Sequence, residues 1–353
     1  MGSLTRKTMT MVLMFLLFFV SACYNQKQDR YDVIYRMEPV KASSSSSIED
    51  KEPRPFTIGI VPKVTGIPYF NVVEDGAVEA AKDLNVNVIY DGPLIADAEQ
   101  QIKVIEDMIK RKVDLLAISA NDPKRLVPVL TQAKEQGIRV ITWDADTLPE
   151  ARELFVNMVD PETLGRHLLD TLAWTMGEEG EYAIMTGALS ASNLNEWIKW
   201  IRYQQTHYYP GMELVEIAAT DDNPQQAYEV ARELLNKHPD LKGIIGNSSV
   251  GPPAAAQVVS ETGKKGDIKV VGLSTPNLMK SYLQDGSAQM ATLWSPKKLG
   301  YLTVVIAKNL LEGNLPVHGQ EIENVGSIRF NGDVVIMGEP LDFTRENVSQ
   351  YDF

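Results

Sequence analysis

The sequence is poor in cysteine and in basic side chains. It has one cysteine in 353 residues, so it can form neither an internal disulfide framework nor a cysteine-rich metal site. Lys and Arg number 34 against 47 Asp and Glu, which gives a formal net charge of −13. Proteins that bind nucleic acid neutralise phosphates with Lys and Arg, so this acidic balance predicts no nucleic-acid partner.

Nucleotide and metal motifs are also lacking. The first strand run is followed by KVTGIP, which offers a single glycine where a dinucleotide-binding loop needs several, and no G-x-x-x-x-G-K-[ST] run occurs. The four histidines are scattered along the chain without the spacing of metal ligands. We therefore expect neither a metal nor a cofactor.

No catalytic constellation is recognisable. The run GNSSVG at 246–251 lacks the G-x-S-x-G spacing of a serine nucleophile. Asp144 and Asp146 could form an acid–base pair, but side chains alternate along an extended segment and the two should point apart. The sequence thus predicts a binding protein that is not an enzyme and has no catalytic residues.

The N-terminus has the order of a secretory signal. Two basic residues precede an apolar run from Met11 to Val20, which is too short to span a bilayer comfortably as a helix. Val20-Ser21-Ala22-Cys23 resembles a bacterial lipobox, in which Cys23 carries the lipid. Residues 1–22 are then a lipoprotein signal peptide. A plain signal peptide with an incidental cysteine is the alternative.

Residues 23–55 are predicted to form a flexible, lipid-attached tether. This segment has a serine run at 43–47, mixed charges and no sustained helical or strand period. A lipid anchor followed by such an arm would keep a globular body at a membrane surface while leaving it mobile.

From residue 56 onward, short β-branched runs alternate with amphipathic stretches. The runs include FTIGIVP (56–62), LLAISA (115–120), RVITWDAD (139–146), EYAIMTG (181–187), LKGIIGN (241–247) and IKVVGLS (268–274). This alternation predicts parallel sheets with helices on both faces. It continues for more residues than one open sheet usually holds, so the expected fold class is α/β with two doubly wound, Rossmann-like lobes. A closed eight-fold barrel is the rival.

Ligands of such sheets bind outside the carboxyl ends of the strands. The polar candidates at these positions are Lys63, Asp144, Asn193, Asn247, Ser249 and Ser274. Ammonium, carboxylate, amide and hydroxyl groups together suit a small polyhydroxylated ligand. The alternatives are a solvated surface lysine at position 63 and an aspartate at position 144 that caps a turn.

Three aromatic residues could form a wall for such a ligand. Tyr69 and Phe70 open the first predicted helix, and Trp294 ends the run AQMATLW. A ring at these positions either stacks on the face of a sugar or packs in the core, and burial is the simpler interpretation.

Several runs carry a family resemblance. They are IGIVPK (58–63), IPYF (67–70), YDGP (90–93), ITWDADT (141–147), NEW (195–197), PAAAQ (253–257), VVGLSTPNLM (270–279) and QYDF (350–353). They resemble the ribose-type periplasmic sugar-binding proteins, more closely the autoinducer-2-binding branch, which is itself similar to the rhamnose-binding proteins. The resemblance implies a periplasmic binding protein-like I fold whose lobes close on one small sugar-like molecule and deliver it to an ABC importer.

The resemblance also implies a three-crossover hinge between the lobes. The first lobe would take residues 56–157 and 288–313, and the second lobe residues 158–287 and 314–353. Rotation about such a hinge lets the lobes close while each keeps its own core.

The ligand residues of the autoinducer-2 branch match this chain unevenly. The lysine after the first strand matches Lys63, and the carboxylate after the tryptophan matches Asp144. Where the family usually has an Asp-Gln pair, this chain has Asn193 and Leu194. Where it usually has Pro-Asp-Ala, the chain has residues 247–249 as Asn-Ser-Ser.

The expected function is a lipid-anchored, monomeric receptor on the periplasmic or outer side of the cell membrane. Its partners would be an ABC permease with its ATPase, and its first candidate ligand is autoinducer-2, a quorum-sensing signal. Rhamnose or another monosaccharide is the alternative ligand. A receptor that feeds a membrane sensor stays open as a second class, and a secreted sugar-acting enzyme as a third.

Overall fold

The computed structural model describes residues 54–353. The predicted signal peptide, Cys23 and nearly all of the predicted tether lie outside the described residues. Within residues 54–353, no helix is both long and apolar enough to cross a membrane.

Strands and helices alternate through most of the chain. The first part contains β1 (Thr57–Val61), α1 (Pro68–Asp83), β2 (Asn87–Tyr90), α2 (Ala98–Lys110), β3 (Leu115–Ile118), α3 (Val127–Glu135), β4 (Arg139–Trp143) and β5 (Leu154–Asn157). The middle part contains α4 (Pro161–Met176), β6 (Gly180–Thr186), α5 (Ser192–Tyr208), β7 (Met212–Ala219), α6 (Pro224–Lys237), β8 (Leu241–Gly246), α7 (Gly251–Glu261), β9 (Lys269–Leu273), α8 (Pro276–Asp285) and β10 (Met290–Leu293).

The last part is one helix followed by short strands. It contains α9 (Pro296–Leu311), β11 (Glu321–Ile322), β12 (Gly326–Ser327), β13 (Arg329–Asn331), β14 (Val334–Ile336) and β15 (Leu341–Phe343). Short 3₁₀ turns lie at Pro149–Ala151 and Val348–Gln350.

The strands form two open sheets, one in each lobe. The first has the order β13-β14-β5-β4-β3-β1-β2, and the second β15-β10-β9-β8-β6-β7. Neighbours in each sheet are parallel except for the edge strands β13 and β15. The two-lobed prediction is confirmed and the barrel alternative is wrong, because neither sheet closes on itself. A small antiparallel pair, β11 and β12, stands apart.

The chain crosses between the two sheets three times. It passes from β5 to β6, from β10 to α9, which packs on α1, and from β14 to β15. Strand β10 belongs to the second sheet although the segment 288–313 was predicted for the first lobe. Strands β13 and β14 belong to the first sheet although 314–353 was predicted for the second. These three- and four-residue strands are too short to show a period, and the lobe boundaries stay a prediction.

Helices cover both faces of the first sheet. Along β3, Leu115 and Ala117 pack on the face that carries α1, whereas Leu116 and Ile118 pack on the opposite face against α2 and α3. Side chains alternate in this way along any strand, so a strand buried on both sides is apolar throughout. The doubly wound arrangement leaves the carboxyl ends of the strands for binding.

Helices α1 and α9 approach each other closely at two glycines. A Cβ atom on Gly76 would lie 1.9 Å from the carbonyl oxygen of Lys297, and one on Gly300 would lie 1.9 Å from that of Val73. Only glycine fits at either contact. This packing fixes α1, whose first turn carries Tyr69 and Phe70.

Candidate functional site

A cavity of about 360 Å³ lies between the carboxyl ends of the two sheets. Its lining comes from both lobes and comprises Lys63, Ile67, Tyr69, Phe70, Asp144, Asn193, Leu194, Trp197, Asp222, Asn247, Ser248, Ser249, Leu273, Leu293 and Trp294. We call Lys63, Tyr69, Phe70 and Asp144 the first-lobe wall, and the polar residues at 193, 222 and 247–249 with Leu194 the second-lobe wall.

The loop after β1 positions half of the first-lobe wall. Gly66 has a φ of +82°, a left-handed conformation that glycine adopts without strain. Pro68 then begins α1, where its fixed φ suits the helix and its missing N–H costs no hydrogen bond. Tyr69 and Phe70 therefore stand in the first turn and face the cavity.

Asp144 is held by hydrogen bonds within the first lobe. The Tyr69 hydroxyl donates to Oδ1 at 3.0 Å, and the Ser119 hydroxyl donates to Oδ2 at 2.7 Å. Its φ of +60° is uncommon for a residue with a side chain, and such conformations occur often at binding sites. Burial and the charge of Asp144 raise the pKa of Tyr69 well above its ordinary value, so this hydroxyl stays a donor.

Lys63 lies between two buried carboxylates. Its Nζ atom is 3.6 Å from Oδ2 of Asp144 and 3.9 Å from Oδ2 of Asp222, and the side chain is 6% exposed. Both distances are longer than a hydrogen bond, although the charges still attract. The ammonium hydrogens are thus available for an oxygen atom of a ligand.

Asp222 is the principal residue of the second-lobe wall. It follows β7, it is 5% exposed, and no donor among the described residues bonds its Oδ2 atom. Burial raises its pKa above the ordinary value, and Asp144 adds to that rise. Lys63 and the nearby Ser248 hydroxyl oppose it, although Ser248 makes no well-formed hydrogen bond to the carboxylate. The φ of Asp222 is +53°, which places it, like Asp144, in the left-handed region.

Two further polar atoms of this wall lack partners within the described chain. They are Oδ1 of Asn247 and Oγ of Ser248, both in the loop after β8. The amide nitrogen of Asn247 donates to the Leu194 carbonyl at 3.2 Å, so its orientation is fixed with the oxygen unbonded. Buried polar atoms are almost always hydrogen-bonded in folded proteins, so these atoms indicate a ligand that supplies donors.

Aromatic rings close the cavity on one side. The Trp294 ring lies 6.1 Å from that of Tyr69 and 5.9 Å from that of Trp197, measured between centroids. The indole nitrogen of Trp294 donates to the Tyr69 hydroxyl at 3.1 Å. Since Trp294 follows a strand of the second sheet, this bond joins the two lobes next to Asp144.

Other hydrogen bonds also join the lobes. The Ser190 hydroxyl donates to the Asn121 carbonyl at 2.7 Å, and the Ser192 hydroxyl donates to the Asp146 carbonyl at 2.8 Å. The lobes therefore meet around the cavity. Among residues 54–353, no group of three or more His, Cys, Asp or Glu is placed to hold a metal ion.

All predicted ligand-binding residues except Ser274 line this cavity. Ser274 is fully buried behind it, and its hydroxyl donates to the Ser249 carbonyl at 2.7 Å, so it supports the loop instead. Asp146 turns away from the cavity and bonds Arg152 at 2.9 Å. The most important lining residue that sequence reasoning missed is Asp222. The loop after β7 contains Asp221 and Asp222, and its place after a strand could have indicated the pair but not which of the two lines the cavity.

A family model described as periplasmic binding protein domain matches residues 58–315. The chain belongs to the periplasmic binding protein family. Among curated relatives of this periplasmic binding protein, the D-ribose/D-allose-binding protein of Pseudomonas aeruginosa is 28% identical, with 78% of this chain and 88% of the relative covered. The ribose import binding protein of Bacillus subtilis is 24% identical, with 87% and 94% covered.

Two solved structures combine strong structural similarity with a bound ligand. An ABC transporter solute-binding protein of Clostridium phytofermentas with L-rhamnose has a TM-score of 0.80 and 29% identity, and the match covers 84% of this chain and 98% of that one. LsrB of Clostridium saccharobutylicum in complex with AI-2 has a TM-score of 0.79 and 26% identity, covering 84% and 100%. Both structures are sugar-type solute-binding proteins, and the similarity extends over nearly their whole length.

Proposed function

We propose that this protein is a lipid-anchored receptor that binds one small polyhydroxylated molecule between its lobes and delivers it to an ABC importer. The observation that carries the proposal is the buried cavity in which Lys63 offers donors while Asp222, Asn247 and Ser248 offer unbonded acceptor atoms. A hydroxyl group both donates and accepts, so a ligand with several hydroxyls satisfies both sets.

The lining also favours a ligand with an apolar part. Leu194, Leu273 and Leu293 face the same cavity as the carboxylates. A 6-deoxy sugar such as L-rhamnose has a methyl group beside its hydroxyls, and so has autoinducer-2. The two solved relatives with these ligands support testing both, with autoinducer-2 the first candidate from the sequence.

A thermal-shift panel tests the proposal. The melting temperature of the protein is measured in the presence of each candidate ligand in turn: L-rhamnose, autoinducer-2 precursor, ribose, allose, xylose, arabinose, galactose and glucose. A ligand at 100 times its dissociation constant adds about 2.7 kcal/mol to the free energy of unfolding. A shift with one or a few of these compounds supports the function, and no shift with any of them contradicts it. Recovery of the ligand unchanged after incubation would agree with a receptor that does not act as an enzyme.

The membrane anchor is tested separately through Cys23. The Cys23→Ser variant has no thiol to carry a lipid, so we expect it in the soluble or secreted fraction, whereas the wild type stays with the membrane. Retention of the variant would mean that the apolar run at 11–20 remains as an uncleaved anchor. Gel filtration of the released variant measures whether the receptor is a monomer.

A further inference from the structure

A second cavity lies beside the first and shares two residues with it. It has a volume of about 700 Å³, and Asn193 and Trp197 line both cavities. We call this second cavity the annex. Its apolar lining is Pro123, Leu148 and Phe155 from the first lobe, Pro161 at the first crossover, and Trp197.

The charged and hydroxyl groups of the annex have protein partners, whereas the side-chain amide of Asn157 has none among the described residues. The Thr147 hydroxyl donates to the Pro123 carbonyl at 2.7 Å. Asp146 is bonded by Arg152 at 2.9 Å, and Glu196 by Lys199 at 2.7 Å. The first cavity has unbonded carboxylate and amide oxygens, whereas the annex offers apolar surface, paired charged groups and one free side-chain amide. A polar ligand group therefore gains little from entering the annex, and an apolar group gains the burial of its surface.

Asn193 and Trp197 separate the two cavities, and the Asn193 side chain can move more easily than the Trp197 side chain. Its Oδ1 atom accepts a hydrogen bond of 2.9 Å from the adjacent Leu194 backbone N–H, so the bond lies within its own helical turn. Rotation of the side chain breaks no bond between elements of the fold. Trp197, in contrast, is 2% exposed and packs against Trp294, so it forms a fixed wall along which a flat group could lie.

We propose that the annex accepts an apolar aglycone, so that the protein binds alkyl or aryl glycosides with the sugar in the first cavity and the aglycone against Trp197. This inference rests on the proposed function, because the sugar part must occupy the first cavity. That cavity is enclosed by buried side chains and leaves little room for an additional ring, so tight binding of an aryl glycoside requires the annex.

Titration calorimetry with matched pairs of ligands tests the inference. Each sugar that shifts the melting temperature is compared with its methyl glycoside and with both anomers of its p-nitrophenyl glycoside. We expect one p-nitrophenyl anomer to bind about 10-fold more tightly than the sugar, because an aromatic ring leaves water for an apolar wall. The methyl glycosides measure the effect of blocking the anomeric hydroxyl alone.

Two leucine variants test whether the tighter binding of the p-nitrophenyl glycoside depends on the annex. Leu148→Arg places a charge in the annex, and we expect it to abolish the gain of the p-nitrophenyl glycoside while the affinity for the sugar stays within about twofold. Leu315→Arg, at a leucine that is 63% exposed, should leave both affinities unchanged. The inference is overturned if neither anomer binds more tightly than the sugar, if the gain survives in Leu148→Arg, or if that variant weakens sugar and glycoside equally. If no sugar of the panel binds, the proposed function itself fails.

Discussion

On the first-lobe wall of the cavity, the carboxylate of Asp144 accepts hydrogen bonds from Tyr69 and Ser119, and the Tyr69 hydroxyl is itself bonded by Trp294. On the second-lobe wall, one carboxylate oxygen of Asp222 has no donor among the described residues. Both aspartates are buried, both have a positive φ, and both lie within 4 Å of the same lysine.

This difference in hydrogen bonding means that the two aspartates should contribute differently to the stability of the fold and to ligand binding. A carboxylate with protein donors contributes to the fold before any ligand arrives, because its loss of hydration is offset within the chain. A buried carboxylate with an unbonded oxygen costs stability, and a ligand that supplies the missing donor removes that cost. Sites of this kind exchange stability for affinity. The first-lobe wall should therefore matter for both folding and binding, and the second-lobe wall for binding alone.

Removal of the shared lysine should affect both walls most. In Lys63→Ala, two carboxylates remain in one buried site without their cation, and breaking a buried ion pair in this way typically costs about 3–5 kcal/mol. We expect a large loss in the free energy of unfolding, measured by urea titration, and no measurable ligand binding by calorimetry. Lys124→Ala removes an exposed lysine of the same lobe and serves as the control. Unchanged binding in Lys63→Ala would place the lysine outside the ligand site.

Asp144→Asn should weaken both stability and affinity. The amide keeps the shape of the side chain but cannot accept from Tyr69 and Ser119 as a carboxylate does, and hydrogen bonds to charged groups contribute about 1.5–3 kcal/mol. We expect the ligand dissociation constant to rise by roughly 10- to 100-fold, together with a lower melting temperature.

Asp146→Asn is the matched control for that change. Asp146 lies two residues further along and bonds Arg152 outside the first cavity. This variant should lose stability and keep its affinity for the sugar. If Asp144→Asn behaves in the same way as Asp146→Asn, then Asp144 is only a structural residue.

Asp222→Asn should have the opposite effects on stability and affinity. Without the buried charge, the free energy of unfolding at neutral pH should stay equal or rise, while affinity falls by about 10-fold through the lost charged acceptor. The pKa of Asp222 is raised in the folded state, so its contribution to stability is complete below the unfolded value of 3.8 and is lost as pH rises through the folded value. The advantage of the variant in urea titrations should therefore grow between about pH 4 and neutrality.

The neighbouring residue provides the control for Asp222. Asp221 has the same left-handed backbone, with a φ of +49°, but its side chain is exposed. Asp221→Asn should change neither affinity nor the pH profile. A loss of stability in Asp222→Asn would show that Lys63 stabilises this carboxylate more than burial destabilises it, and the contrast between the two walls would disappear.

The strands could be predicted from the sequence wherever they appear as runs of apolar residues. The predicted runs from 56 to 274 correspond to β1 through β9. Most of these strands are buried on both faces and are therefore continuously apolar, whereas the edge strands β2 and β7 are only partly buried. No element was predicted from the pattern after residue 274. For α8 and α9 a signal exists, since Thr275-Pro276 and Ser295-Pro296 repeat the cap and proline with which α4 begins at Asp160-Pro161. Two-residue strands such as β12 show no period at all.

The candidate site could be predicted only in part, for a geometric reason. Residues directly after a strand, such as Asp144, lie at the ligand-binding edge in any doubly wound sheet. Asp222 stands beside Asp221 with a similar backbone conformation, and the sequence offers no means to decide which of them points inward. The annex was invisible for the same reason, because Leu148 and Trp197 are 49 positions apart and meet only when both lobes are folded.

The smallest expected effect is a pH response outside the cavity, at a histidine near the segments that cross between the two sheets. Nε2 of His167 in α4 lies 2.8 Å from Oδ1 of Asp342, which also accepts from Thr292 at 2.7 Å, and these three residues join α4, β15 and β10 next to the crossovers. The Asp342 carboxylate raises the pKa of His167 above 6.5, with Asp170 of the same helix adding to the rise. The resulting stability is complete below pH 6.5 and is lost as pH rises through the folded pKa.

The pair is partly solvated, so His167→Gln should cost less than about 1 kcal/mol of the free energy of unfolding at pH 6 and nothing at pH 9, with sugar affinity unchanged. His318→Gln, at an exposed histidine, should show no such pH dependence in parallel urea titrations. A change of affinity in His167→Gln would show that this histidine influences ligand binding in the cavity. The comparison of the two walls would then have to include it.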